Sequence, residues 1–243
     1  KAWFEASTPA DRERLLTAIN AGLPGAYARY DVAGLREILG RYAGITRDDV
    51  RANYRRFLEA VVPVAEEAGM RLCVHPDDPP RPLFGLPRVV SNAEDIAFVL
   101  NAMPSPANGL TLCSGSLGAN PANDVPAIAA RFADKIHFAH LRNVAKDADG
   151  SFEEADHLAG DTDMVALVRV LMAEERRRRA EGRADAEIPM RPDHGHELLS
   201  DIGRGTHPGY PVIGRMRGLA ELRGVMAAVA TLDGGAAAHR GPA

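Results

Sequence analysis

The sequence predicts an α/β chain of parallel βα units, the C-terminal half of a (β/α)8 barrel preceded by a helical segment. Three observations lead there. Four short apolar runs, near 70–75, 110–113, 136–140 and 188–191, read as strands. Helical patterns separate them, and strands that alternate with helices argue for a parallel sheet. A complete barrel takes about 250 residues. The chain has 243 residues but shows only these four strand patterns, and none within 1–69. The N-terminal strands of the barrel are therefore expected upstream of Lys1, so that the chain reads as one entered partway.

Each element has a local reason. Thr8-Pro9 opens a helix with Leu15, Leu16 and Ile19 on one face, and Gly22, Pro24 and Gly25 end it. Asp31 caps a short helix carrying Val32, Leu35, Ile38 and Leu39. Thr46 with Asp49 resembles a capping box and opens a long helix bearing Phe57, Leu58, Val61, Val62 and Ala65, with a bend expected at Pro63. After the first strand, Met70 to His75, Ser91 and Glu94 form a capping box for a helix reaching Met103. The second strand runs Leu110 to Cys113, a helix spans Asp124 to Ala133, and the third strand runs Ile136 to His140. A helix from about Asp161 to Arg179 leads to the fourth strand, Ile188 to Arg191. Its basic run Arg176 to Arg179 follows Glu174 and Glu175 and reads as a solvated face. A last helix covers Gly218 to Ala230, and residues 233–243 read as a frayed tail. The whole is one domain: helical over 1–69, βα units over 70–232, then the tail.

Composition narrows the function. The chain is 46% hydrophobic and 26% charged, ordinary for a globular protein with a sizeable core. A net charge of −4 lacks the basic footprint of a nucleic-acid partner. No apolar stretch reaches the roughly 18 residues of a membrane span, and no charged-then-apolar leader opens the chain. Cys73 and Cys113 read as free thiols or ligands, which suits the reducing cytoplasm. The partner expected is a small molecule, and a homo-oligomer is left open.

Chemistry gathers where the strands stop. The first ends in His75, the second in Cys113 and the third in His140, while Asp193 follows the fourth. In a parallel α/β barrel these ends converge on one mouth. Two imidazoles, a thiolate and a carboxylate suit Fe(II), Zn(II) or Mn(II) better than Mg(II) or Ca(II). Any one of these residues alone would as readily be a satisfied histidine or a small core cysteine. Their joint placement makes the metal site. Asp77 and Asp78 lie in the proline-rich loop after the first strand, as supporting groups or as loop solvation. His194 sits beside Asp193, and Tyr210 stands on a Gly/Pro-rich loop. Arg142 and Arg191 are candidates for binding a substrate carboxylate, or equally for structural ion pairs.

The segments "VHPDDPPRPLFGLPRVVS", "LCSGSLGANPANDV", "HFAHLRN", "HLAGDTDM", "RPDHGHELL" and "GYPVIGRMRGLAELRGV" occur in this order. As a set they strongly resemble mannonate dehydratase, from about Leu23 to the last helix. The resemblance implies a xylose-isomerase-like barrel that uses Mn(II) or Fe(II) to dehydrate D-mannonate to 2-keto-3-deoxy-D-gluconate in hexuronate breakdown. It implies metal ligands at His75, Cys113, His140 and Asp193, and catalytic roles for His194 and Tyr210. The family's substantial N-terminal segment has no counterpart in this sequence. Two other readings compete. One is a sugar isomerase or epimerase on the same barrel, although such sites are commonly carboxylate-rich and Cys113 argues against them. The other is a truncated fragment that binds metal without turnover.

Overall fold

The structure, a computed structural model, describes residues 2–21 and 31–234. The expected helix stop at Gly22, Pro24 and Gly25 and the expected tail beyond Gly234 lie outside the described residues. Two compact units form, one from the chain up to Thr46 with Phe84–Leu86, the other from Arg47 onward.

The first unit is helical: α1 (Ala2–Ala6), α2 (Pro9–Ala21) and α3 (Val32–Arg41). Thr8 and Asp11 cap α2 reciprocally, the Thr8 N–H donating to Asp11 Oδ2 (2.9 Å) and the Asp11 N–H to Thr8 Oγ1 (3.2 Å). Asp31 caps α3 as its sequence position predicts, accepting from the Gly34 N–H at 2.7 Å.

The second unit begins with α4 (Arg47–Glu67), which carries Pro63 inside it. Then come β1 (Leu72–Val74), α5 (Ala93–Ala102), β2 (Asn108–Cys113), the short α6 (Ser114–Gly118) and α7 (Val125–Arg131). β3 (Ile136–His140), β4 (Asn143–Lys146), β5 (Phe152–Ala155), α8 (Met164–Ala180), β6 (Met190–Arg191) and α9 (Val212–Gly234) complete it. The sheet order is β1-β2-β3-β6, with every pair parallel. All four expected strands are present, in the expected order. One face of the sheet is covered by helices. Ile96, Leu110, Leu112, Ile136, Leu167 and Leu222 are fully buried there, each contributing roughly 1.5–3 kcal/mol of hydrophobic stabilisation.

Several details depart from the sequence reading. α5 is capped by Asn92, whose side chain accepts from the Asp95 N–H (3.0 Å), and not by Ser91 with Glu94. Asp95 is the reason: buried, it accepts the Ser91 N–H (3.0 Å) and pairs with Arg47 and Arg51. Arg178 is no solvated residue. It is buried, bonded to Glu174 Oε1 (2.7 Å) and to the carbonyls of Ala133 (2.8 Å) and Ile136 (3.0 Å). α9 starts at Val212, six residues before Gly218. Gly214 lies inside its first turns because the His196 carbonyl packs where a side chain would stand. β4 and β5, paired antiparallel apart from the main sheet, were not anticipated. No helix among the described residues is long and apolar enough to cross a membrane.

Candidate active site

The β2–β3 pairing decides which side chains reach the mouth. Leu110 pairs with Ile136, but Thr111 pairs with Phe138, so His137 is an extra residue in β3. This irregularity shifts the rest of the strand by one residue and brings His140 opposite Cys113. Paired residues in neighbouring strands point to the same face, so both donors leave the sheet on one side. His137 lies on the same side and reaches over Gly109 to bond the Leu72 carbonyl at 2.9 Å. Burial lowers its pKa.

Three of the four sequence-expected ligands, His75, Cys113 and His140, come together, and Asp193 stands beside two of them. Ligand atoms of His75, Cys113 and His140 lie within 4.8 Å of one another. His75 Nε2 stands 3.1 Å from His140 Nδ1, and His75 Nδ1 bonds the Pro76 carbonyl at 2.7 Å. That bond puts the ring proton on Nδ1 and frees the Nε2 lone pair. Asp193 Oδ2 lies 3.7 Å from His140 Nδ1 and 4.0 Å from Cys113 Sγ. Asp193 has φ +61°, a left-handed conformation that Asp tolerates better than most residues. Burial alone would raise its carboxyl pKa, but His194, His140, Arg191 and Arg142 outweigh burial and hold it below the usual value.

Polar neighbours hold the thiol. Ser116 donates its hydroxyl to Cys113 Sγ (3.1 Å) and its N–H to the same sulfur (3.5 Å). Ser114 Oγ bonds the Arg142 carbonyl at 2.5 Å and so ties the end of β2 to the chain leaving β3.

Beside the donors stands a second group. His194 Nε2 lies 2.9 Å from Tyr210 Oη, and His194 Nδ1 lies 2.7 Å from Glu154 Oε1. His194 Nε2 is also 3.8 Å from Asp193 Oδ2. Burial first, then the Asp193 charge, raises the Tyr210 pKa. Tyr210 therefore keeps its proton across the neutral range.

The two arginines separate. Arg142 is 4% exposed, with Nη1 on Asp78 Oδ2 (2.8 Å) and Nη2 on Glu154 Oε1 (3.2 Å). Burial opposes its charge, but Asp78 and Glu154 outweigh burial and hold the guanidinium more firmly protonated than usual. Its stem runs across Gly115, where a Cβ would collide with it. Of the two roles read from sequence, Arg142 takes that of ion-pair partner. It is buried, with its head group already committed to Asp78 and Glu154 and 3.8 Å from Asp193 Oδ2. Arg191 bonds Asp193 Oδ1 at 2.5 Å yet keeps a side chain 49% exposed.

Glu154 and Ser116 were not anticipated. Glu154 had a usable signal in Asp149-Gly150, a turn dipeptide between two short segments that pair as β4 and β5. Ser116 had none beyond its nearness to Cys113.

The D-mannonate dehydratase (UxuA) family model matches residues 4–234. A mannonate dehydratase of Chromohalobacter salexigens is 53% identical over 96% of this chain and 59% of its own length. Mannonate dehydratase 1 of Agrobacterium fabrum is 58% identical over 85% of this chain and 52% of its own. The chain thus spans between half and three-fifths of the length of these relatives. The crystal structure of mannonate dehydratase from Streptococcus suis serotype 2 superposes with a TM-score of 0.74 at 35% identity, covering 86% of this chain and 58% of that one. A xylose isomerase domain protein from Planctomyces limnophilus, 12% identical, shares the fold with a TM-score of 0.51 over 78% of this chain and 56% of its own. A match over nearly the whole chain, with relatives more than half identical to it, places this protein in the mannonate dehydratase family.

Proposed function

We propose that this chain forms the greater part of a hydro-lyase that dehydrates D-mannonate to 2-keto-3-deoxy-D-gluconate and water, with Mn(II) or Fe(II) held by His75, Cys113, His140 and Asp193. One observation supports the reading: donors from three strand ends cluster, with Asp193 beside two of them, next to a hydrogen-bonded His–Tyr pair. The donors fit a cation. Metal bonds of about 2.0–2.3 Å put neighbouring ligand atoms roughly 3–4 Å apart. Three of the spacings here are 3.1, 3.7 and 4.0 Å, and the His75, Cys113 and His140 donors all lie within 4.8 Å of one another. The mixed nitrogen, sulfur and oxygen set favours a transition metal over Mg(II) or Ca(II).

A bound divalent cation would supply Lewis acidity to a sugar acid chelated through its carboxylate and a hydroxyl, making the C2 proton easier to remove. The protein's groups do the rest. One member of the His194–Tyr210 pair takes the C2 proton. As the C3–O bond breaks, the other donates a proton to the departing hydroxyl, which leaves as water. The enol formed tautomerises to the 2-keto acid, so atoms and charge balance. Arg191, exposed beside Asp193, is suited to the substrate carboxylate.

The two edges of the sheet are β1 and β6. We place further strands of a longer chain on them, closing a (β/α)8 barrel around the mouth. The free thiols of Cys73 and Cys113 suit the reducing cytoplasm, where hexuronate breakdown would use this enzyme. The test combines metal analysis with a dehydration assay of the full-length protein on a panel of hexonates. D-mannonate turnover that is lost on chelation and restored by Mn(II) or Fe(II) is expected. A metal-free protein with full turnover, or one that turns over aldoses instead, would overturn the proposal.

A further inference from the structure

The β4–β5 hairpin delivers to the site one carboxylate that no strand end of the main sheet supplies. We propose that Glu154 is a positioning residue for the reaction. Its bond to Nδ1 fixes the tautomer and ring plane of His194, so that Nε2 faces Tyr210 and the reacting substrate. The inference rests on the reading of His194 and Tyr210 as the proton-transfer pair.

The geometry carries it. Glu154 Oε1 lies 2.7 Å from His194 Nδ1, and a carboxylate can only accept, so the ring proton sits on Nδ1. Nε2 then presents its lone pair, and Tyr210 Oη is 2.9 Å away. The result is a chain of three groups in which the middle ring has its orientation imposed from behind. The same logic holds whenever a base is oriented by a third group. If Nε2 takes a proton, the resulting imidazolium has Glu154 as its immediate counter-charge.

Glu154 is itself held from several directions. It pairs with Val144 in the hairpin register. Arg142 Nη2 lies 3.2 Å from the same Oε1 that His194 uses. The hairpin base is pinned by Asn143, which donates to the carbonyls of His157 (3.0 Å) and Thr162 (2.9 Å). Its tip is pinned by Arg81, which donates to the Gly150 carbonyl at 2.7 Å. Its neighbour Glu153 is exposed and makes no such connection to the site. A carboxylate held this firmly restricts the ring far more than a mobile surface glutamate would.

Two variants of the full-length protein test the role. Glu154→Gln keeps an acceptor for both N–H groups but removes the charge. Glu154→Ala removes both. With metal content and KM for D-mannonate unchanged, kcat is expected to fall about tenfold in the first and on the order of 10²-fold in the second. The spectroscopic arm uses ¹⁵N NMR of the imidazoles in protein loaded with diamagnetic Zn(II). The His194 signals are assigned by their loss in His194→Asn. Wild type and Glu154→Gln should carry the proton on Nδ1, and Glu154→Ala should shift it toward Nε2. A Glu154→Ala protein that keeps wild-type kcat, or keeps its Nδ1 proton, overturns the proposal. If Glu154→Ala does not fold, Glu154→Gln decides through kcat at constant KM, and wild-type kcat there is equally fatal. The NMR arm needs no substrate. Wild-type protein inactive on D-mannonate would overturn the functional reading instead, and the tautomer would still decide this one.

Discussion

Replacing Gly115 by alanine should damage the site through Arg142, without touching a ligand. An added Cβ would lie 2.6 Å from Arg142 Cδ and nearer still to Cγ and Nε, against 3.4 Å or more for ordinary contact. The side chain must therefore yield by at least about 0.8 Å. It has nowhere easy to go, being 4% exposed and held by Asp78 and Glu154. A shift of that size takes the 2.8 Å bond to Asp78 out to roughly 3.6 Å, beyond useful hydrogen bonding. Overpacking of this kind costs about 1–3 kcal/mol, and a weakened charge-assisted bond adds about 1.5–3 kcal/mol. At roughly 2–4 °C per kcal/mol, the melting temperature should drop by about 5–24 °C. Turnover should fall as well, because Arg142 shares Glu154 with His194. Thermal unfolding and steady-state kinetics of wild type and Gly115→Ala measure both effects. An alanine variant with wild-type melting and wild-type kcat would refute the argument that Arg142 is locked in place.

Three other outcomes are expected. Gly224→Ala, inside α9 with nothing near its would-be Cβ, should stabilise the protein by about 0.5–1 kcal/mol in chemical denaturation. His194→Asn and Tyr210→Phe should each lower kcat on D-mannonate by about 10²–10⁴-fold, with metal content by elemental analysis nearly unchanged. Metal loss in His194→Asn would make His194 a ligand and leave Asp193 in need of another role. Asp185 is held well below the usual carboxylate range, first by its hydrogen bond to Arg183 and also by Arg71. Its folded-state pKa is depressed, so its contribution is present above the unfolded value of about 4 and fades as pH falls through the folded value. Asp185→Asn should therefore be less stable than wild type at pH 7, with the gap narrowing below pH 4 in denaturant titrations.

What could be read from the sequence follows what is local. A strand announces itself as an apolar run, and the residue where the run stops can be named without knowing the fold. That is why His75, Cys113, His140 and Asp193 could be named as candidates from the sequence. His194 followed from its adjacency to Asp193, and Tyr210 from its place in the resemblance. Glu154 was missed although Asp149-Gly150 marks the turn of its hairpin. Its strand pairs only four residues, and the hairpin is held by Asn143, which reaches the Thr162 carbonyl 19 positions away. The start of α9 was missed because Gly214 looks like a helix breaker, and only the His196 carbonyl packed against it explains a glycine there. The cap of α5 lay between two adjacent capable residues, Ser91 and Asn92. Contacts from Arg47 and Arg51 to Asp95 complete that end of the helix, and they come from some 44–48 positions away. The burial of Arg142 could not be read from its identity, since nothing local distinguishes a buried arginine from an exposed one.

Two backbone departures, more than any side chain, assemble the donors. Had β2 and β3 continued in the register set by Leu110 and Ile136, Cys113 would have paired with Ala139, and His140 would have faced the helices. The extra residue at His137 reverses the alternation once, which keeps Leu112 and Ala139 buried on the helix side and turns His140 toward Cys113. At the end of β6 the left-handed turn at Asp193 does comparable work. It separates two adjacent side chains: Asp193 turns to His140 and Arg191, while His194 turns to Glu154 and Tyr210. Asp193 and His194 thus come from consecutive residues yet serve different partners. Each departure sacrifices some regular backbone geometry, as irregularities at functional sites commonly do. The strand-end pattern therefore supplies the donor types, and these two irregular positions supply their convergence.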